Sequence, residues 1–257
     1  MYTVDLEGKT GIVFGVANEH SIAWAIAKML YEAGARLTFT YQNERFGERV
    51  SRLTESMKNV RLLECDVSKD ESIEAVFAEV KREWGILDLV VHSIAYANRE
   101  DLKGDFSKTS RDSFLMSLDV SAYSLIPIVR SAARLMERGG SIVTMTFYAS
   151  ERVFPGYNVM GTAKAALENE VRQLAAEFGW RNIRVNAISA GPLETLASRG
   201  INGFLGMRSI HAEKAPLKRS ITHEEVAKTA LFLCSDLSSG ITGSVIPVDA
   251  GYHIMAV

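Results

Sequence analysis

A chain of 257 residues is long enough for one large α/β domain, or two small ones, around a substantial core. With 47% hydrophobic and 23% charged residues it reads as an ordinary globular protein, and a formal net charge of -2 leaves no basic excess for a nucleic-acid partner. Cys65 and Cys234 lie far apart without metal-ligand spacing and read as free thiols of a cytoplasmic protein; the first residues do not read as a leader, no metal site is expected and no segment reads as membrane-spanning.

Strands are predicted at 9–15 (KTGIVFG), 36–41 (RLTFTY) and 60–66 (VRLLECD), with a helix at 21–34 after the first. A helix at 72–85 leads to a strand at 87–93 (LDLVVHS) and a long helical stretch at 116–138. Strand 141–147 (SIVTMTF), helix 162–179, strand 183–189 (IRVNAIS), helix 222–235 and strand 244–249 (SVIPVD) complete the chain. Gly34, Gly85 and Gly179 fall just past apolar helical runs, where helices tend to stop. Such alternation, with near-continuous apolar strands, predicts a doubly wound, Rossmann-like parallel sheet of about seven strands with helices on both faces. No linker or repeat divides it, so residues 1–257 are read as a single domain.

Ligands of such a sheet sit beyond the carboxyl ends of the strands, where the winding reverses. After the first strand, GVANEHSIA places Gly15 before a short loop and Ser21 at a helix start, either to cradle a pyrophosphate or as a plain N-cap. After the second, Gln42 and Asn43 stand where an acid grips the ribose of NAD or an Arg takes the extra phosphate of NADP; the lack of a basic residue there favours NADH, with NADPH left open. Asp66 ends the third strand as an acceptor for an adenine amino group or as a turn residue. Ser93 and Ala95, small and near the switch point, let a cofactor pass closely.

The fifth strand leads into FYASERVFPGYNVMGTAK. Two helical turns separate Tyr157 from Lys164, which puts both on one face; in isolation they read as a plain surface pair, and the strand-end loops around them overturn that reading. Beside a nicotinamide, Lys164 reaches ribose hydroxyls while Tyr157 offers a proton-bearing oxygen to a carbonyl that gains negative charge. After the sixth strand, SAGPLETL sets small residues and Pro192 against the nicotinamide amide.

Taken in order, GVANEHSIA, TYQNE, CDV, HSIAYAN, YNVMGTAKAAL, RVNAISAGP and ITGSVIPVDAGYHI resemble the bacterial enoyl-acyl-carrier-protein reductases of the NADH-dependent type, divergent short-chain dehydrogenase/reductases, over residues 6–253. The resemblance implies reduction of a trans-2-enoyl thioester carried on acyl carrier protein, with Tyr157 on the enolate oxygen and Lys164 on the nicotinamide ribose. It implies cofactor contacts at Gly15, Ser21, Ile22, Gln42, Asp66, Val67, Ser93, Ile94, Lys164 and Leu193, and a homotetramer. It also implies a substrate loop at about 194–210, with Ala95, Tyr148, Tyr157, Met160, Leu196, Ile201 and Phe204 on the substrate; read without the family, the apolar loop residues are plain helical core.

Two positions depart from the family pattern. Phe147 stands where many members carry a second tyrosine, with Tyr148 next to it as a substitute, and Glu194 replaces a usual basic residue. Between 199 and 219, Arg199, Arg208, Lys214, Lys218 and Arg219 face a single acid, Glu213, which reads as a dock for an acidic carrier protein or as a solvated face. The competing functions are a short-chain carbonyl reductase or alcohol dehydrogenase, and a non-catalytic dinucleotide sensor; Gly161, four residues after Tyr157, counts against the first.

Overall fold

Seven short runs rich in Val, Ile, Leu and Thr form the strands β1 (Thr10–Phe14), β2 (Arg36–Tyr41), β3 (Arg61–Glu64), β4 (Leu89–His92), β5 (Gly140–Thr146), β6 (Ile183–Ala190) and β7 (Val245–Val248) in a computed structural model. The model describes residues 4–201 and 203–256, leaving aside the side chain of Arg199. The strands lie in the order β3-β2-β1-β4-β5-β6-β7, with every neighbouring pair parallel. Winding reverses between β1 and β4, which makes that seam the switch point.

Alternation along the strands sorts the core into two layers. Val13, Leu37, Phe39, Val91, Val143 and Ile188 point to one face, while Ile12, Phe14, Val90, Ile142 and Val185 point to the other. The first layer is closed by α1 (Ile22–Glu32) and α8 (His223–Cys234), and the second by α3 (Asp70–Trp84), α5 (Leu125–Ala133) and α6 (Val159–Phe178). Central β1 and β4 are wholly buried, whereas the edge strands β3 and β7 are half-exposed, as expected for a sheet covered on both sides. Opposite the switch point, the buried Asp88 carboxylate accepts from Thr10 N (2.9 Å) and pairs with Lys9 (3.4 Å) and Arg138 (3.7 Å), pinning the amino ends of the strands.

The elements differ from the sequence reading in three places. A helix, α2 (Glu44–Thr54), follows β2; it is mostly polar and buries only Val50 and Thr54, and its narrow apolar stripe of Phe46, Val50 and Leu53 at helical spacing went unread. The stretch read as one helix at 116–138 begins earlier and is interrupted: α4 (Arg111–Leu118), a π-helical turn (Asp119–Tyr123), then α5. Taken together, residues Arg111–Ala133 are long and apolar enough to cross a bilayer by length and composition, contrary to the sequence reading; in the fold, α5 spends its apolar face on the core through Leu125, Ile128, Val129 and Ala132. Within the substrate loop, the apolar residues build a further helix, α7 (Phe204–Lys214).

Candidate active site

The first strand-end loop owes its shape to one glycine. Gly15 has φ +99°, and a Cβ there would lie 2.0 Å from the carbonyl oxygen of Ser93. The loops after β1 and β4 therefore meet backbone to backbone at the switch point. Ser21 is the residue before α1, but its hydroxyl does not cap the helix; it accepts from Ala17 N (3.0 Å) and Asn18 N (3.1 Å) and so ties the loop into a ring. With no side-chain cap and no acid in the first turn, the N-terminus of α1 at Ile22 keeps its donors and its partial positive charge for an anion.

Along the next two strand ends, Gln42 is exposed beyond β2, while Asn43 caps α2 by accepting from Phe46 N (3.4 Å). Asp66 is bound into its own turn: it accepts from Ser68 N (3.2 Å) and Ser68 Oγ (2.7 Å) and pairs with Lys69 (3.4 Å). Burial pushes its pKa up, but those hydrogen bonds and Lys69 outweigh it and hold the carboxyl below its ordinary range. The turn reading of Asp66 thus describes its present contacts. Val67 and Ile94 are half-buried against the second core layer, and Ser93 N donates to Phe14 O (3.2 Å). Ala95 is exposed next to Tyr96, whose N–H and C=O both bond the hydroxyl of Ser121 (2.9 and 3.0 Å) in the π turn.

Tyr157 is not helical, which corrects the two-turn picture of its relation to Lys164. The helix α6 begins at Val159, and between them Asn158 adopts φ +39°, ψ −122°, a strained conformation for any residue but glycine. Its amide compensates by donating to the carbonyls of Asp101 and Gly104 (2.8 Å each), which fastens the 99–104 loop to the turn that carries Tyr157. Tyr157 packs against the buried cluster of Leu102, Met160 and Ala163, which Ala97 and Ile201 also flank, and Phe147 meets its ring edge-on at 5.0 Å. No described protein group hydrogen-bonds its hydroxyl. Burial pushes its ionisation well above the ordinary phenol value, so the oxygen keeps its proton.

Lys164, 4% exposed, donates to Met145 O (2.8 Å) at the carboxyl end of β5. Burial lowers its pKa to about 8, and Glu168 opposes that fall. Tyr148 goes elsewhere. Its hydroxyl donates to His253 O (3.0 Å) and its ring packs against Phe154 and His253, so Phe147 and not Tyr148 neighbours Tyr157, and the expected second phenol is not brought to this centre. The physical reason is strand alternation: adjacent residues leaving β5 point to opposite sides.

The loop after β6 keeps Leu193 buried and turns at 195–198, where Thr195 and Ser198 bond each other reciprocally (2.8 and 3.0 Å). Leu196 is half-buried, Ile201 touches the Tyr157 cluster, and Phe204 is buried, while Leu205 and Ile210 stay exposed. Glu194 lies 3.7 Å from Arg208, so its charge ties the loop's start to α7. Of the basic residues expected to dock a partner, Arg219 is bound by Glu225 (2.7 Å), Lys218 donates to Glu213 O (2.8 Å), and the side chain of Arg199 lies outside the described residues. A groove of about 780 Å³ runs beside this centre, between Tyr148, Phe154, Met207, Ile210, Tyr252 and Ile254.

Two buried histidines escaped the sequence reading. His92, at the end of β4, is fully buried between Thr144 Oγ1 (2.8 Å) and Ser124 Oγ (2.9 Å). A neutral ring satisfies both when Nδ1–H donates to Thr144, whose own proton goes to His92 O (3.1 Å), and Nε2 accepts from Ser124. Burial first, and Lys164 second, push its pKa to about 3. His211 on α7 stacks on Tyr252 (4.6 Å), and a Cβ on Gly191 would lie 2.9 Å from its Nε2. For His92 the signal was a polar ring inside the apolar run LVVH; for His211 there was none.

A seven-stranded sheet wound in this order, with a glycine turn at the switch point and a tyrosine and lysine beyond β5, defines the class of nucleotide-dependent short-chain dehydrogenase/reductases. The family profile described as "Enoyl-(Acyl carrier protein) reductase" matches residues 15–253, and the chain belongs to that family. It is 50% identical over 255 residues, 98% of this chain and 99% of the relative, to "Enoyl-[acyl-carrier-protein] reductase [NADH] FabI" of Nostoc sp.. It superposes with a TM-score of 0.96 on the Bacillus cereus enoyl-acyl carrier protein reductase solved with NADP+ and an indole naphthyridinone, at 49% identity and covering 98% of this chain and 99% of that one. For the Anaplasma phagocytophilum reductase solved with NAD the TM-score is 0.93 at 43% identity, covering 98% of this chain and 94% of that one.

Proposed function

We propose that this chain reduces trans-2-enoyl thioesters carried on acyl carrier protein, with NADH as the reductant, in fatty-acid synthesis. The observation that carries this reading is the nearly full-length match to the enoyl reductase family. The residues fit a dinucleotide: the uncapped, acid-free start of α1 suits a pyrophosphate, and Gly15 lets the two loops close beneath it. Exposed Gln42 and the capping Asn43, with no cation at the end of β2, favour a free ribose over a phosphorylated one.

Bound NADH supplies the hydride, which goes to the β-carbon of the enoyl group. Tyr157, protonated and with its hydroxyl unpaired, donates to the thioester oxygen as charge gathers there. Lys164, held by Met145 O, offers its ammonium to the ribose hydroxyls. Met160, Ile201 and Phe204 shut water from the reacting atoms, and Glu194–Arg208 steadies the segment that does so. Gly15, Ser21, Ile22, Gln42, Asp66, Val67, Ser93, Ile94 and Leu193 line the cofactor side, and Ala95 and Leu196 the acyl side. Tyr148 is assigned to the neighbouring groove, where it braces the tail through His253.

The enzyme is further proposed to be a cytoplasmic homotetramer. Exposed Leu115, Met116 and Tyr123 on α4 and the π turn supply apolar surface for subunit contact, and both thiols are free and buried. An assay with NADH or NADPH and a trans-2-enoyl thioester, following loss of reduced-nicotinamide absorbance, tests the reaction. Thioester-dependent oxidation with NADH preferred is expected; turnover of ketones but not enoyl thioesters would replace this reading with a carbonyl reductase.

A further inference from the structure

One buried acid takes no part in the chemistry just described. Glu168 lies one helical turn beyond Lys164 on α6, so the two side chains share a face. It is 6% exposed, and its Oε1 accepts from the hydroxyl of Thr146 at 2.7 Å. Lys164 bonds the carbonyl of Met145, the residue before Thr146. The last two residues of β5 thus hold a cation and a carboxylate side by side beneath the strand end. A buried acid without an ionic role costs desolvation for no return, and Lys and Glu are rarely buried unless they serve one another.

We propose that Glu168 is a positioning residue whose carboxylate, clamped by Thr146, keeps Lys164 charged for the nicotinamide ribose. This rests on the reading of Lys164 as the ribose-holding group. Burial alone favours a neutral amine, and the carboxylate is the charge on α6 that opposes it. From β4, His92 is the other ionisable group coupled to Lys164, and its burial keeps it neutral at working pH. Tyr157, on the turn before α6, holds its proton over the same range. Lys164 and Glu168 form no direct ion pair among the described residues, so the carboxylate acts through space and the clamp from Thr146 fixes its place.

The test is NADH affinity, followed by nicotinamide fluorescence, as a function of pH from 6 to 9.5 in Glu168→Gln, Glu168→Asp and Lys164→Met. In Glu168→Gln the alkaline loss of affinity is expected to begin about one pH unit lower than in the parent, so that binding near pH 7.5 weakens by several-fold and recovers near pH 6. Glu168→Asp, which keeps the charge, is expected to restore the parent profile even if it melts earlier. A uniform loss at every pH, or a Glu168→Gln profile that overlays the parent, overturns the proposal. Lys164→Met separates the two ideas: disappearance of the alkaline limb is expected, and its survival would refute the role of Lys164 itself.

Discussion

Gly15→Ala probes the closest backbone approach in the site. The substitution acts twice: it places a Cβ on a residue with φ +99°, and it drives that carbon to 2.0 Å from Ser93 O and 2.7 Å from Ser93 C. The first effect costs about 1–2 kcal/mol. The second forces the loops after β1 and β4 apart by roughly 1 Å or more, judged against ordinary carbon–oxygen contacts, at about 1–3 kcal/mol of overpacking. Gly8→Ala is the control, because Gly8 has φ +78° with nothing within 4 Å of its would-be Cβ and so feels the backbone cost alone. Loss of glycine's freedom in the unfolded chain is common to both and cancels. The difference between the variants isolates the close approach. In thermal melts, Gly15→Ala is expected to fall on the order of 10 °C below the parent, and Gly8→Ala only a few degrees, by the usual scaling for chains of this size. NADH binding should weaken in Gly15→Ala and not in Gly8→Ala. Equal melting temperatures for the two variants, with equal affinity for NADH, would refute the idea that these loops must touch to form the site.

Tyr157→Phe should lower kcat about 10²–10³-fold with little change in NADH affinity, since the donor matters as charge develops; an unchanged kcat removes Tyr157 from the oxyanion. His92, held neutral with its pKa near 3, binds fewer protons folded than unfolded between there and its ordinary value of 6.5, so its share of stability is full at neutral pH and drains as pH falls through that window. Denaturant midpoints of His92→Gln, taken from pH 7 to 4, should therefore decline less steeply than the parent's, whatever the absolute loss at pH 7; parallel slopes would contradict this. Reversing Lys214 to Glu, which spares the Glu194–Arg208 pair, should raise KM for carrier-linked substrate far more than for a short CoA thioester, and equal effects on both would dismiss the docking surface.

The strands and the strand-end loops were legible because buried parallel strands leave long apolar runs and because small residues mark each loop. Gly15 carried its own meaning. What stayed hidden depends on three-dimensional direction. Nothing in FYAS says which ring turns inward, and only the exit from β5 puts Phe147 against Tyr157 and sends Tyr148 to the tail. Ser21 looked like either a cap or an anion donor, and it instead closes its own loop. The π turn at Asp119–Tyr123 is one extra residue in a helical ladder, invisible as a pattern, yet the strand-end loop and His92 lean on Ser121 and Ser124 in and beside it. Polar α2 offered only a narrow stripe, Phe46, Val50 and Leu53, inside an otherwise charged run.

The sheet order also bears on how the molecule assembles. Five of the six strand pairings join neighbours in sequence, within β1-β2-β3 and within β4-β5-β6-β7; the exception among the described residues is β1 with β4. The two halves of the sheet meet along that single seam, reinforced on one face where α1 lies against α8 and on the other where α3 lies against α5. A dinucleotide laid across that seam grips both halves at once, so it should slow their parting and raise resistance to unfolding with its concentration. The one seam that joins the two halves is therefore also the seam that the proposed ligand would span.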